Sequence, residues 1–485
     1  MSPSSQGGAV LSAPQQQPEQ APGSDPANPS PTPGSERVGL GSTPGYPAGS
    51  VLTFAFGTTV SMWALAYVCR LPMIQAPGWL LAGGFVVCLI LGGYLAARTL
   101  GGGALGSGRR WLLGARVGAL SSLLNLLILG SMLKDPAYRS AAAVWVPMTL
   151  FLGAALAAVG AILPRPPAAP RDRAWLGLFA RVTAGATLVL LAAGGLVTGH
   201  EAGLAVPDWP NSYESNMFLY PLSKMTGGIY YEHAHRLFGS LVGLTTLVLA
   251  LQVLRREPRG WVKGLAGFAF VLVCAQGIMG GLRVTGTFTL SADAQNLAPS
   301  LRLALAHGVT GQLFFALIVG LAAILTPTWR KGPEVSPSDS MRSLKTASHW
   351  LFLGLFGQLV LGALLRHFQT PPVYHATLGT LLALAGVGVG TWAWVMARRV
   401  SEAPLGRTGA TLAGLVLLQF CLGMVALAAV GISDPAIQAP LTTLHQTTGA
   451  LVLASALLLR LWAGRLCAEP LSELPRKPAG KQVAA

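Results

Sequence analysis

Twelve apolar runs, each close to the ~20 residues that a helix needs to cross a bilayer, leave this chain of 485 residues few ways to fold. They lie at roughly 52–70, 78–97, 110–133, 143–163, 174–198, 233–254, 261–282, 300–326, 347–365, 373–396, 408–430 and 440–463. Backbone groups inside hydrocarbon must find partners within their own segment, so runs of this length predict spanning helices. Hydrophobic residues make up 52% and charged residues 10%, a balance that excludes an ordinary soluble protein. The net charge of +16 is distributed over short links rather than gathered on one face, which speaks for membrane topology and against nucleic acid as a partner. Cys69, Cys88, Cys274, Cys421 and Cys467 stand singly, without metal-type spacing and without a disulfide framework.

The links alternate in character. Arg255, Arg256, Arg259 and Lys263 fill one, Arg330, Lys331, Arg342 and Lys345 the next on that side, and Arg398, Arg399 and Arg407 the third. With Arg476, Lys477 and Lys481 of the tail, these predict a cytoplasmic side. Links 199–232, 283–299, 366–372 and 431–439 are poorer in Lys and Arg and belong opposite, which places both termini in the cytoplasm of a cell with a bacterial inner membrane. Residues 1–49, rich in Pro, Gly, Ser and Gln, read as a disordered tail; Arg37 alone is too little for a transit peptide. Residues 50–165 form a four-helix extension with no histidine and no assignable chemistry, in which Arg116 snorkels and Asn125 faces a bundle interior. The Pro-rich basic link Pro164–Arg173 closes it, two bundles follow at 174–330 and 345–465, and 466–485 is a cytoplasmic tail.

The second region repeats. His235-Arg-Leu-Phe-Gly239, His307-Gly-Val-Thr-Gly311, His375-Ala-Thr-Leu-Gly379 and His445-Gln-Thr-Thr-Gly449 all read His-x-x-x-Gly, and the unit is a helical hairpin. The preceding helix carries Gln276 with Gly280, Gln358 with Gly362, and Gln419 with Gly423; the first unit lacks this feature. The expected architecture is therefore all-α and polytopic, with two pseudo-symmetric four-helix bundles in an eight-helix core preceded by about four extra spans. A glycine one turn from each histidine leaves room for something flat to approach. Two bundles with two inward imidazoles each match bis-imidazole haem ligation, with His235, His307, His375 and His445 as iron ligands and Arg236, Gly239, Gly311, Gly379 and Gly449 beside the cofactor. Zinc and copper also take imidazole, but closed zinc sites want four ligands and catalytic ones usually three.

The halves differ. Tyr231-Glu232-His233-Ala234-His235-Arg236 puts a carboxylate, two imidazoles and a guanidinium at the mouth of an apolar run, whereas Ala304, Pro372 and Thr442 stand where Glu232 does. One haem site thus has an acid poised for proton transfer or for stabilising positive charge, and the other suits electron transfer. The plainer reading of Glu232 is an ion pair with Arg236, and of His233 an interfacial residue. His200, His349 and His367 lie in or near links and read as surface residues, with His200 and His367 placed to touch haem propionates.

Glu232-x-x-His235-Arg236, the later histidines at their spacing, Pro207-Asp208-Trp209-Pro210 and Arg283-Val-Thr after Gly280-Gly281 together resemble the haem A synthase family of cytochrome oxidase assembly. The resemblance covers about 174–463. It implies that His235 and His307 hold haem O, the substrate, that His375 and His445 hold haem b, a cofactor, and that Glu232 is the catalytic carboxylate. The implied reaction oxidises one haem methyl group to the formyl group of haem A, with water as oxygen source and electrons leaving through the second haem; negative charge would oppose the positive charge developing at the methyl carbon. Haem O synthase, terminal oxidase assembly factors, lipid and further copies of the chain are the partners it suggests. Family members often flank Pro-Asp-Trp-Pro with a cysteine pair, where this chain has Val206 and Ser212. On the residues alone, a dihaem b-type cytochrome that only transfers electrons is the alternative, and a cofactor-delivery protein a third.

Overall fold

The computed structural model describes residues 48–100, 106–163, 175–285, 300–332, 338–429, 432 and 434–467. Residues 1–47, the whole of the link Pro164–Arg173, 286–299 and 468–485 lie outside the described residues, and with them most of both expected tails. Twelve long helices run through the rest: α1 Ala48–Cys69, α2 Gly78–Leu100, α3 Ser107–Leu129, α4 Ala142–Ile162, α5 Trp175–Gly199, α6 Gly227–Arg256, α7 Gly260–Val284, α8 Leu301–Ile324, α9 Asp339–Phe368, α10 Pro372–Arg399, α11 Ala403–Ala429 and α12 Pro435–Leu466. Each is long and apolar enough to cross a membrane, and the protein is an all-α, polytopic membrane protein. α1 begins at Ala48, inside the stretch read as tail.

The helix starts follow from local chemistry. Ser300 caps α8 by accepting from Leu303 N–H, and Ser338 caps α9 by accepting from Met341 N–H. Asp434 accepts from Ala436 N–H at 2.9 Å, with Pro435 opening α12, and Pro372 likewise opens α10. His375 consequently lies in the first turn of its helix, while His445 lies deeper along α12, beyond Pro440.

α5, α6, α7 and α8 pack in a ring, each on its two neighbours, and α9, α10, α11 and α12 form a second ring. α5 and α8 meet α12, and α8 meets α9, across the seam between them. At that seam the glycine pair Gly194-Gly195 faces both ways: a Cβ on Gly194 would lie 2.9 Å from the His235 ring, and one on Gly195 would lie 2.8 Å from Thr443 of α12.

The extension is a separate packing of α1–α4, with α3 against α4 and α2 against α4 so closely that a Cβ on Gly93 would overlap the Ala157 carbonyl. Asn125 is buried and accepts from Trp63 Nε1 at 3.0 Å, while Arg116 is exposed. α1 makes most of the contact with the core helices, and the end of α3 with the turn after it meets the 217–219 segment. The α1 rings meet those of α5 and α6 edge-on in Phe56 with Phe179 and Trp63 with Phe238, and Tyr67 stacks on Tyr230 at 5.6 Å. Tyr230 also donates to the Tyr67 carbonyl at 2.6 Å. The extension therefore holds the opening turns of α6, where the acid and the first histidine stand.

Candidate functional site

The four repeated histidines come together as two pairs. His235 of α6 and His307 of α8 have ring centroids 6.3 Å apart with planes at 79°, and His375 of α10 and His445 of α12 are 6.2 Å apart, also at 79°. Two metal–imidazole bonds of about 2 Å each, with about 1.1 Å from nitrogen to ring centre on either side, require centroids about 6 Å apart. Both pairs therefore fit a single six-coordinate iron between them. Among the described residues, no group of three or more His, Cys, Asp or Glu is gathered in the way a zinc site needs.

Each ring rests on a glycine of the preceding helix. A Cβ would lie 2.9 Å from the ring at Gly194 for His235, 3.6 Å at Gly280 for His307, 2.8 Å at Gly362 for His375 and 3.1 Å at Gly423 for His445. The first unit thus keeps the glycine of the Gln-x-x-x-Gly element, with Leu190 in the glutamine's place. In the other units the glutamine reaches the ring. Gln358 Nε2 lies 3.0 Å from His375 Nδ1 and donates to the His375 carbonyl at 2.8 Å. Gln419 Nε2 lies 3.3 Å from His445 Nε2. Gln276, with its amide nitrogen turned to the ring, lies 2.9 Å from His307 Nδ1, and its oxygen accepts from Gly311 N–H at 3.2 Å and from the Thr310 hydroxyl. His235 has no amide side chain beside its ring, and Nδ1 of both His235 and His445 is buried with no hydrogen-bond partner.

These glutamines also occupy the room expected beside a flat ligand. A Cβ on Gly379 would lie 2.7 Å from Gln358 Nε2, one on Gly449 3.2 Å from Gln419 Nε2, and one on Gly311 3.7 Å from Gln276. Gly239, in the unit with no glutamine, has open space before it.

Glu232 is buried and fully engaged. Its Oε1 accepts from Arg236 Nη2 at 2.7 Å and its Oε2 from Val206 N–H at 2.9 Å, so the ion pair of the plainer reading is present. Arg236 does more than neutralise it: Nη1 donates to the carbonyls of Asp208 at 2.6 Å and Asn211 at 2.9 Å, and Nη2 to that of Val206 at 2.8 Å. A planar guanidinium can hold several acceptors at once, and here it fixes the loop that contains Pro207-Asp208-Trp209-Pro210 over the first bundle. Asp208 accepts from Tyr213 and Glu214 N–H, two residues at positive φ, and so steadies the turn that follows. Trp209 seats its ring on the missing side chain of Gly281, next to the glycine beneath His307.

His233, expected at the interface, is buried at 1% exposure, with Nδ1 3.0 Å from Ser212 Oγ and its ring against Tyr220. The loop closes over it, which the helix sequence alone could not reveal. His200 is not a free surface group either: it stacks on Tyr231 at 4.1 Å, and burial holds its imidazole below its ordinary pKa. His367 is half-buried and His349 exposed.

Residues 214–377 match the family model described as cytochrome oxidase assembly protein. The resemblance to the haem A synthase family is borne out. The matched span takes in Glu232, His235, His307 and His375 and ends before His445, whose place in this family's pattern rests on the repeat and on its pairing with His375. No curated protein matches the chain.

Proposed function

We propose that this protein is a haem A synthase, an oxidoreductase that converts a methyl group of haem O into the formyl group of haem A for terminal oxidase assembly. The observation that carries the reading is the asymmetry of two otherwise equivalent imidazole pairs, of which only the first has a buried carboxylate one turn away along the helix, paired with the arginine that follows the histidine. His235 and His307 would hold the substrate, and His375 and His445 a haem b. The second haem, when bound, supplies a one-electron carrier through which electrons removed from the methyl carbon leave. Glu232 fixes negative charge beside the first pair, where positive charge develops, and its bonds to Arg236 and Val206 keep that charge in place without reorganisation. The Arg236-anchored loop, with Trp209 seated on Gly281, covers the first bundle and limits bulk water at the site. Haem O synthase and oxidase assembly factors are natural neighbours in this reading, and the histidine ends of the helices would face away from the cytoplasm.

Pyridine-haemochrome analysis of the purified protein tests it: haem b together with haem O or haem A is expected, and haem b alone would favour the electron-carrying cytochrome. Glu232→Ala should retain haem in both bundles and stop haem A formation, with haem O or a partly oxidised haem accumulating. Undiminished haem A in that variant would remove Glu232 from the mechanism.

A further inference from the structure

Two arginines at the histidine end of the core make no ion pair among the described residues. Arg283 stands in the last turn of α7, just beyond Gly280 on which His307 rests, and Arg366 stands in the last turn of α9, one turn beyond Gly362 on which His375 rests. Nε of each is buried with no hydrogen-bond partner, and among the described residues neither makes an ion pair. Arg283 packs over the backbone of Gly203, where a Cβ would lie 2.6 Å from Nη2, and it is within electrostatic reach of Glu232, His235 and His307. His367 lies within reach of both arginines. Glu232 is already held by Arg236 and Val206 N–H, and Asp208 by Tyr213 and Glu214 N–H.

A half-buried guanidinium at the end of a membrane segment, its Nε unpartnered, is suited to an anionic ligand. The pattern occurs once per bundle, on the helix that also cradles an imidazole of that bundle. From this geometry we infer that Arg283 and Arg366 bind the propionate carboxylates of the two haems, one arginine to each ring. The inference rests on the haem reading above and adds an orientation to it: both rings lie with their carboxylate edge toward the loop end of the helices and their apolar edge, with any long alkyl substituent, toward the bilayer interior. An acidic lipid headgroup shares the chemistry of the ligand, but the imidazole pair beside each arginine selects haem.

The test is uptake of protohaem and of its dimethyl ester by the full-length protein, with His375→Ala or His235→Ala used to leave one imidazole pair at a time. Bound haem is measured by absorption, and its midpoint potential by redox titration. With the arginines intact, the free acid should bind roughly tenfold or more tightly than the ester, as loss of a charge-assisted contact implies. Arg283→Leu should abolish that preference in the first bundle and Arg366→Leu in the second, each keeping a bis-imidazole spectrum and shifting the potential, while Arg→Lys at either position retains part of the preference. Acid and ester bound equally by the unaltered arginines, or a preference that survives both leucine variants, would overturn the assignment and leave the haem reading standing. Loss of bound anionic lipid in the variants with no change in haem preference would also overturn it. Failure to bind either haem would overturn both.

Discussion

What stands behind each imidazole distinguishes the four paired histidines. Gln276, Gln358 and Gln419 each bring a side-chain amide to a ring, whereas Leu190 brings none to His235. Partners of this kind orient an axial ligand and typically change metal affinity 10- to 100-fold. Leu190→Gln should therefore slow loss of haem from the first bundle to apomyoglobin by at least about tenfold, and Gln358→Leu should speed loss from the second; equal rates in all three proteins would remove the side-chain contact as a cause. On the proposed reading the first bundle holds the substrate, and a substrate site gains from the weaker hold because its product must leave. The glutamine repeat was readable in three units, but Gly194 was not, since without the glutamine four residues earlier it is one glycine among many in α5. The Glu232–Arg236 pair was readable from its spacing along the helix. The three loop carbonyls that Arg236 also holds were not, because nothing local specifies contacts more than twenty residues away.

The loop between α5 and α6 shows how an element can be fixed without a covalent tie. Val206 and Ser212 stand where relatives often carry cysteines, and each is instead held by a hydrogen bond, Val206 N–H to Glu232 and Ser212 Oγ with His233 Nδ1. Arg236 supplies the remaining anchors. Arg236→Lys keeps the charge but not the fork of donors, so it should weaken the loop by about 1–3 kcal/mol and raise its amide exchange between Ala205 and Asn216, with the cores of α10–α12 unchanged. Exchange as slow as in the parent would show the guanidinium to be dispensable. Helix number and approximate bounds were legible because hydropathy and length decide them; the closed form of this loop and the burial of His233 beneath it depend on distant partners and were not.

Across the whole molecule, the two ends of the core are secured differently. At the end opposite the histidines, Glu257 is buried between Arg259 at 2.6 Å and Arg330 at 2.7 Å, joining the α6–α7 link to the short helix Pro327–Lys331 that follows α8. Burial pushes its carboxyl up, but the hydrogen bonds from Arg259 and the charges of Arg259 and Arg330 outweigh that and hold it below the ordinary carboxylate value of 4.5. A depressed pKa stabilises the fold above the ordinary value, and that contribution fades as pH falls through the folded pKa. Glu257→Gln should thus lower Tm at pH 7, by an amount equivalent to about 3 kcal/mol at most because Arg330 is partly exposed, and the gap from the parent should narrow below the carboxylate range; a gap that does not change with pH would contradict the pairing. On the extension, Trp63→Ala removes a ring packed on Phe238 and should cost about 3–5 kcal/mol, read as early loss of haem from the first bundle while the second keeps its own. No sequence pattern linked the extension to the core, because aromatic contacts between helices far apart in the chain leave no periodic trace. The double glycine at the seam has its own consequence. α5 presents bare backbone to His235 at Gly194 and to Thr443 of α12 at Gly195, so that no side chain of α5 stands in the seam there. A bulky residue at Gly195 would push α12 away and, on the proposed reading in which each bundle holds a haem, would lengthen the gap that electrons cross and slow turnover while each bundle kept its own cofactor.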